Sequence, residues 1–362
     1  MGYRNLKLFG FRNLGEQSID ISAPRLFFIG RNGQGKSNLL ESVYLLSYGS
    51  SFRTRSNREM ISYERKEATV YGTYTASDGS ETEGNVAVRV APGEKELQLN
   101  GKKVRDRKTL ISNMPAIVFT HDDISFVSGS PDRQRWFFDQ TLSLYDPSFI
   151  DHLRTYRKLL KMRNATLKEE RKELLDVYDT QLAAAGIEIQ HSRQRAVEEF
   201  NPLFSHLFAE ISGITDSVHI EYQPSWREAK SGEEAAQQLQ ERRDRDLLYG
   251  TTMNGPHRDR FVFRRGERDF AAVASTGQLR LISLILRIGQ STYYSRKTGR
   301  LPVLLLDDVL LELDGEKREA LLAMLPHHEQ AYFTFLPEEA YQRFVTEETR
   351  TYWVEDGWVK TT

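Results

Sequence analysis

The stretch Phe27-Phe28-Ile29-Gly30-Arg31-Asn32-Gly33-Gln34-Gly35-Lys36-Ser37 reads G-x-x-x-x-G-K-S, the pattern of a phosphate-binding loop. An apolar run from Leu26 to Ile29 precedes it, and a helical pattern from Asn38 to Leu46 follows. That strand–loop–helix setting separates such a loop from a glycine-rich turn before a helix. Residue frequencies alone would produce the pattern in roughly 1% of chains of this length. Glycines let backbone N–H groups close around a polyphosphate at a helix N-terminus. Lys36 then reaches the β- and γ-phosphates of ATP, and the Ser37 hydroxyl ligates Mg²⁺. Gly30, Arg31, Asn32, Gly33, Gln34, Gly35 and Asn38 complete the expected nucleotide cradle.

A loop of this kind needs an acid to orient Mg²⁺. Val303-Leu304-Leu305-Leu306-Asp307-Asp308 supplies one at the end of a strand that is apolar on both faces, as buried parallel strands are. This is the Walker B form, although a strand ending in a solvated acidic turn would look similar. Asp307 would hold Mg²⁺ through water, and Asp308 would orient or deprotonate an attacking water. About thirty residues earlier, Ser275-Thr276-Gly277-Gln278 opens a helix. Its N–H groups, its dipole and the Ser275 hydroxyl suit an anion, and a plain N-cap would also explain Ser275.

The totals bound the rest. The chain has 362 residues, enough for two modest domains, with 39% hydrophobic and 28% charged residues. It has no cysteine, which excludes disulfides, Cys-based zinc sites and thiol catalysis. A net charge of -1 excludes a wholly basic nucleic-acid binder but leaves room for basic patches. No apolar run approaches membrane-spanning length, no signal-peptide core follows Met1, and Leu6 breaks the myristoylation pattern. The expectation is a cytoplasmic chain with no membrane partner.

Strands are expected at 3–9, 17–21 and 116–119, with an antiparallel meander over 68–104 that turns at Asp78-Gly79 and Asn100-Gly101. Ser130-Pro131 and Asp146-Pro147 read as helix starts. From there to about Gly213 the pattern is helical, to be kinked or interrupted at Pro202, with no heptad sustained long enough for a long coiled coil. A strand at 218–222, a charged helix at 233–249, a strand at 260–263, a helix at 279–294, a helix at 313–325 and a strand at 331–335 follow. The expected architecture is α/β: a P-loop ATPase head with mixed β-sheets, residues 1–128 and 255–362, carrying a mainly helical lobe at 129–254.

Two basic clusters stand out. Ser51-Phe52-Arg53-Thr54-Arg55-Ser56-Asn57-Arg58 is either a solvated turn or a phosphate or DNA contact, with Arg53 and Arg55 as its candidates. Residues 152–172 hold Arg154, Arg157, Lys158, Lys161, Arg163, Lys168, Arg171 and Lys172 against Glu169 and Glu170. The first four recur at helical spacing, either as a solvated face or as a footprint on a phosphate backbone.

Loop, Ser-x-Gly-Gln element and Walker acid, in this order, resemble the ABC/SMC class of head ATPases. Closer features resemble the RecF family. These are Gly30 to Glu41 leading to Ser51-Phe52-Arg53; Gly129-Ser130-Pro131 with Arg133, Arg135 and Trp136-Phe137-Phe138; Tyr156 to Leu167 with Arg163-Asn164; Gly255-Pro256-His257-Arg258-Asp259; and Asp307 to Asp314. Departures are Leu311 where the family carries Ser before Glu-Leu-Asp, Arg260 in place of a further acid, and Gln134 between the arginines. No switch histidine follows Thr334-Phe335.

The resemblance implies that two copies sandwich two ATP molecules. Ser275, Gly277 and Gln278 of one copy would finish the γ-phosphate site of the other, and Asp314 would cross the interface as the D-loop. It implies an ATP-dependent homodimer with weak, DNA-stimulated ATPase activity, Lys36 and Asp308 carrying the chemistry. That dimer would bind double-stranded DNA near single-strand gaps and work with RecR, and indirectly with RecO, RecA and single-strand-binding protein, in DNA repair, replication and the SOS response. His257 and Arg258 fit either a polar turn closing a strand or a contact near the nucleotide. The alternative function is the ATPase subunit of an ABC membrane transporter.

Overall fold

The computed structural model describes residues 2–75, 83–169, 171–213, 218–310 and 315–361. The chain divides into two compact units, residues 1–121 with 290–362, and residues 122–289. The first unit begins with β1 (Tyr3–Phe9), β2 (Gln17–Asp20), β3 (Arg25–Ile29), α1 (Lys36–Tyr48), β4 (Ala68–Thr75), β5 (Glu83–Ala91), β6 (Glu94–Leu99), β7 (Lys102–Lys103), α2 (Lys108–Asn113) and β8 (Ala116–Phe119). The second holds α3 (Ser125–Ser128), α4 (Pro131–Tyr145), α5 (Pro147–Lys168), α6 (Leu175–Ser212), β9 (Val218–Gln223), α7 (Gly232–Glu241), α8 (Arg243–Tyr249), β10 (Arg260–Arg265), β11 (Arg268–Asp269) and α9 (Phe270–Val273). Helix α10 (Thr276–Thr298) starts in the second unit and ends in the first. Then come β12 (Val303–Leu306), α11 (Gly315–Ala323), β13 (Gln330–Phe335), β14 (Thr349–Glu355) and β15 (Trp358–Thr361).

The first unit contains two six-stranded sheets. One is the antiparallel meander β2-β1-β4-β5-β6-β7. The other runs β15-β14-β3-β13-β12-β8, parallel except for the edge strand β15. Helix α1 packs on strands of both sheets, so nearly every residue from Leu39 to Tyr48 is buried. This is why its apolar residues are spread around the helix rather than confined to one stripe. Its Leu46 lies where a side chain on Gly72 of β4 would stand, and its Tyr48 hydroxyl donates to the Ala116 carbonyl at 2.9 Å.

In the second unit, β9 and β10 pair antiparallel over Val218–Gln223 and Arg260–Arg265, with β11 at the edge. That pairing ties residues 260–265 to 218–223. The compact unit therefore extends to residue 289, whereas the sequence grouped 255 onward with the head. Asp146 caps α5 through Ser148 and Phe149 N–H groups. Helix α6 runs unbroken through Pro202, so proline does not interrupt it. The expected helix at 233–249 is two helices, because Arg242 leaves helical geometry between α7 and α8.

The turn at Asp78-Gly79 lies outside the described residues, as do Leu311 to Asp314. Asn100-Gly101 has positive φ at both residues, as its hairpin requires. Strands β14 and β15 are an element that the sequence reading did not contain. The matching architecture is a mixed-sheet α/β head, and among the described residues no helix is long and apolar enough to cross a membrane.

Candidate functional site

Strands β3 and β12 lie on either side of β13 in the parallel sheet, and the loop Gly30–Ser37 and the acid Asp307 sit at their carboxyl ends. Ligands of open parallel sheets collect at these ends. The Ser37 hydroxyl donates to Asp307 Oδ1 at 2.7 Å, although 270 residues separate them. Desolvation pushes the Asp307 carboxyl up to about 6; the Ser37 hydroxyl and the charges of Arg53 and Lys36 pull it down, and neighbouring Asp308 pushes it up.

Lys36 is buried, and its Nζ donates to the carbonyls of Gly30 at 2.8 Å and Arg31 at 3.2 Å. The loop thus holds its own cation at its mouth. Gly30 is required by close approach: a Cβ there would stand 2.4 Å from the Val354 carbonyl of β14. Gly35 has φ 112, which side chains rarely adopt, and a Cβ would meet Leu14 at 2.8 Å. Arg31, Asn32 and Gly33 are exposed.

Residues outside the motif hold the loop. Asn13 Nδ2 donates to the Gly33 carbonyl at 3.1 Å, and its Oδ1 accepts from Asn38 Nδ2 at 2.7 Å. The carbonyl of Gln34 accepts from Gly357 N at 3.1 Å, and its side-chain oxygen accepts from Asp356 N. The C-terminal hairpin is therefore part of the cradle. On α1, buried Glu41 receives Arg12 through two bonds of 2.9 and 2.7 Å, and also the Ser51 hydroxyl. Arg53 donates to Asn38 Oδ1 and stands 3.7 Å from Glu41. The Ser-Phe-Arg word is thus latched onto the loop's own helix, while Arg55 is exposed with no partner among the described residues.

Asp308 has φ 51; its N–H donates to Thr334 Oγ1 at 2.7 Å, and Thr334 Oγ1 donates to its carboxylate at 2.7 Å. Thr334 belongs to β13, so the intervening strand orients the second acid. A left-handed conformation in a non-glycine residue costs free energy, and here Thr334 holds it. Among the described residues no group of three or more acids and histidines could hold a metal unaided. Ser37 and Asp307 instead offer one hydroxyl and one carboxylate oxygen at a single point. That fits Mg²⁺, which is bound by few protein oxygens together with substrate phosphates and water.

Ser275 lies in the second unit, where it is exposed with Gly277. It forms a capping box: Ser275 Oγ accepts from Gln278 N at 3.3 Å, and Gln278 Oε1 accepts from Ser275 N at 2.9 Å. A Cβ on Gly277 would meet nothing within 4 Å, so the helix start is open on that side.

His257 is a structural residue of its turn. Its Nε2 donates to the Thr252 carbonyl at 3.0 Å, leaving Nδ1 to accept the Tyr156 hydroxyl at 2.7 Å. Burial raises the Tyr156 phenol well above its ordinary value and pushes the imidazole down to about 4. Asp259 is buried and accepts from Arg193 at 2.8 Å, from Ser225 N at 2.8 Å and from the Tyr222 hydroxyl. On α5, Arg154, Arg157, Lys158 and Lys161 are exposed, Arg154 lying 3.6 Å from Asp151. Arg163, counted with them, is fully buried and pairs with Asp179 at 2.6 Å and Asp246 at 2.7 Å.

Residues 3–356 match the family model described as RecF/RecN/SMC N terminal domain. The chain is 45% identical over 353 residues to the DNA replication and repair protein RecF of Treponema pallidum (strain Nichols), covering 96% of this chain and 97% of that one. It is 30% identical to the protein of the same name from Trichlorobacter lovleyi, covering 96% and 95%. Its fold matches a solved structure of the recombination mediator protein RecF with ATP, in the RecFOR pathway, with TM-score 0.90, 28% identity and coverage of 99% and 97%. An SMC head bound to the C-winged helix domain of ScpA matches with TM-score 0.56 at 16% identity, covering 99% and 97%, a likeness of fold alone.

Proposed function

The chain belongs to the RecF family, and on that premise we propose that it is an ATP-switched DNA-repair mediator. ATP is held by Gly30–Ser37 and Asn38 in one copy and completed by Ser275, Gly277 and Gln278 of a second copy, with Asp314 at the interface. Ser37 and Asp307 would hold Mg²⁺, which would supply positive charge against the phosphates. Lys36 leaves its carbonyls for the β- and γ-phosphates, and Asp308, oriented by Thr334, accepts a proton from the attacking water. Slow hydrolysis resets the switch. The closed pair binds duplex DNA beside single-strand gaps and, with RecR and indirectly RecO, assists RecA on gaps covered by single-strand-binding protein. Such a role belongs in the cytoplasm.

The observation that carries this reading is the 2.7 Å bond from Ser37 to Asp307, which joins loop and Walker acid at one point. The transporter alternative has no support in the likenesses above, whose named relatives are replication and repair proteins. The test is equilibrium binding of ATP with and without Mg²⁺. Asp307→Ala should abolish the gain in affinity that Mg²⁺ gives the unaltered chain, and an undiminished gain would refute the assignment of the metal site.

A further inference from the structure

Two sets of arginines in the second unit contrast with one another. Arg135, Arg163, Arg193, Arg243, Arg264 and Arg287 each hold a carboxylate. Arg227, Arg242, Arg258 and Arg260 hold none. All four are exposed, and none makes an ion pair or side-chain hydrogen bond among the described residues. They line one cleft of about 540 Å³. Glu228 and Glu241 share that lining, so four arginines against two glutamates leave a formal charge of +2.

The cleft is built rather than incidental. Between Arg258 and Arg260, Asp259 is buried and fixed by Arg193, Ser225 and Tyr222, and its carbonyl accepts from Arg135 Nη1 at 2.6 Å. With residue 259 anchored inward, both flanking guanidinium groups are left outside. Trp226, with no exposed surface, anchors the segment before Arg227 in the same way. Arg242 stands where α7 ends and α8 begins, so the break between these helices sets its position. Four guanidinium groups against two carboxylates leave a net positive charge in the cleft, and the remaining repulsion is relieved when an anion enters.

We propose that this cleft is a contact for the phosphate backbone of duplex DNA; the proposal rests on the reading above that the chain binds duplex DNA. The guanidinium fork matches phosphate oxygens in pairs. The lining carries no aromatic side chain on which a base could stack, and none of the large apolar anchors that protein partners use. The two glutamates leave room for one or two phosphates rather than a long polyphosphate. The contact therefore positions the duplex and carries no sequence information.

The test uses the full chain with ATP and Mg²⁺ and measures anisotropy of a labelled duplex over a range of salt concentrations. The triple variant Arg242→Gln, Arg258→Gln, Arg260→Gln should bind roughly tenfold more weakly, with the slope of log affinity against log salt reduced by about one to two. Its ATP-dependent dimerisation should be unchanged. The corresponding triple lysine variant should keep most of the slope. If the triple variant does not fold, Arg258→Gln alone should reduce the slope by up to about one. Unaltered affinity and slope in the glutamine variants would overturn the proposal. So would loss of inorganic tripolyphosphate binding, or of an acidic protein partner, with duplex binding intact. A chain that shows no ATP-dependent duplex binding before any substitution would instead sink the functional reading itself.

Discussion

The loop at Gly30–Ser37 and the helix start at Ser275–Gln278 both gather backbone N–H groups at the N-terminus of a helix, yet they are tied down to very different degrees. In the loop, Lys36 holds two carbonyls, Ser37 holds Asp307, Asn13 holds Gly33 and the C-terminal hairpin holds Gln34. At Ser275 the described contacts are a local capping box, and the surface is open. A site fixed by distant parts of the chain can bind a polyphosphate by itself. A bare helix start offers only a modest anion attraction, worth about 1 kcal/mol. It becomes decisive when a phosphate already held elsewhere is brought to it. The contrast fits the proposal that the first region binds the nucleotide and the second switches the pair.

The largest effect that could break this contrast is on the loop. Lys36→Ala should weaken ATP binding at least about a hundredfold, since charge-assisted bonds contribute about 1.5–3 kcal/mol each. Nucleotide affinity by calorimetry decides it, and near-normal binding would contradict the role given to Lys36. Ser275→Arg should leave that affinity within a few-fold and abolish ATP-dependent association; loss of nucleotide binding would place Ser275 in its own copy's site. Removing the cap itself costs about 1 kcal/mol of stability, so Ser275→Asn, which keeps a cap, separates folding from switching.

Asp308→Asn should slow hydrolysis by about a hundredfold or more and prolong the ATP-bound pair. Turnover and dissociation rates measured together check this, and rapid dissociation would count against it. The smallest effect concerns the second unit's frame. His257 has its folded value lowered to about 4 from 6.5, so the unfolded chain binds the extra proton between these pH values. Its contribution is present above about pH 6.5 and is lost as pH falls towards 4. The full shift corresponds to at most about 3 kcal/mol. His257→Gln should flatten the fall in Tm between pH 7 and pH 4.5, and an unchanged slope would remove His257 from the account.

What could be read in the sequence follows from locality. The phosphate loop and the Walker acid are words whose spacing fixes their own backbone, so their strands and helix were legible before any tertiary contact was known. Asn13 and Gly357 hold the same loop, and Arg12 holds Glu41 of its helix, from distant positions, and nothing near them announces it. The hairpin of β14 and β15 did leave a local sign, Asp356-Gly357 with φ 48 and 79 after alternating residues.

Arg163 belongs to the basic stretch 152–172 but not to its stripe of Arg154, Arg157, Lys158 and Lys161; it shares a helical stripe with Tyr156, Leu160 and Leu167, which places it inward. The two readings of His257 could not be separated because Tyr156, Arg193 and Asp139 come from helices far away in sequence. The arginine cleft draws on three segments and has no sequence pattern at all.

The central claim, that the loop is half a site and a second copy completes it, is tested most directly by light scattering of the full chain with and without ATP and Mg²⁺, in the presence and absence of duplex DNA. The mass should double with ATP, stay at one chain for Ser275→Arg, and be accompanied by duplex binding only when it doubles. An unchanged mass with saturating ATP, or duplex binding indifferent to ATP, would contradict it.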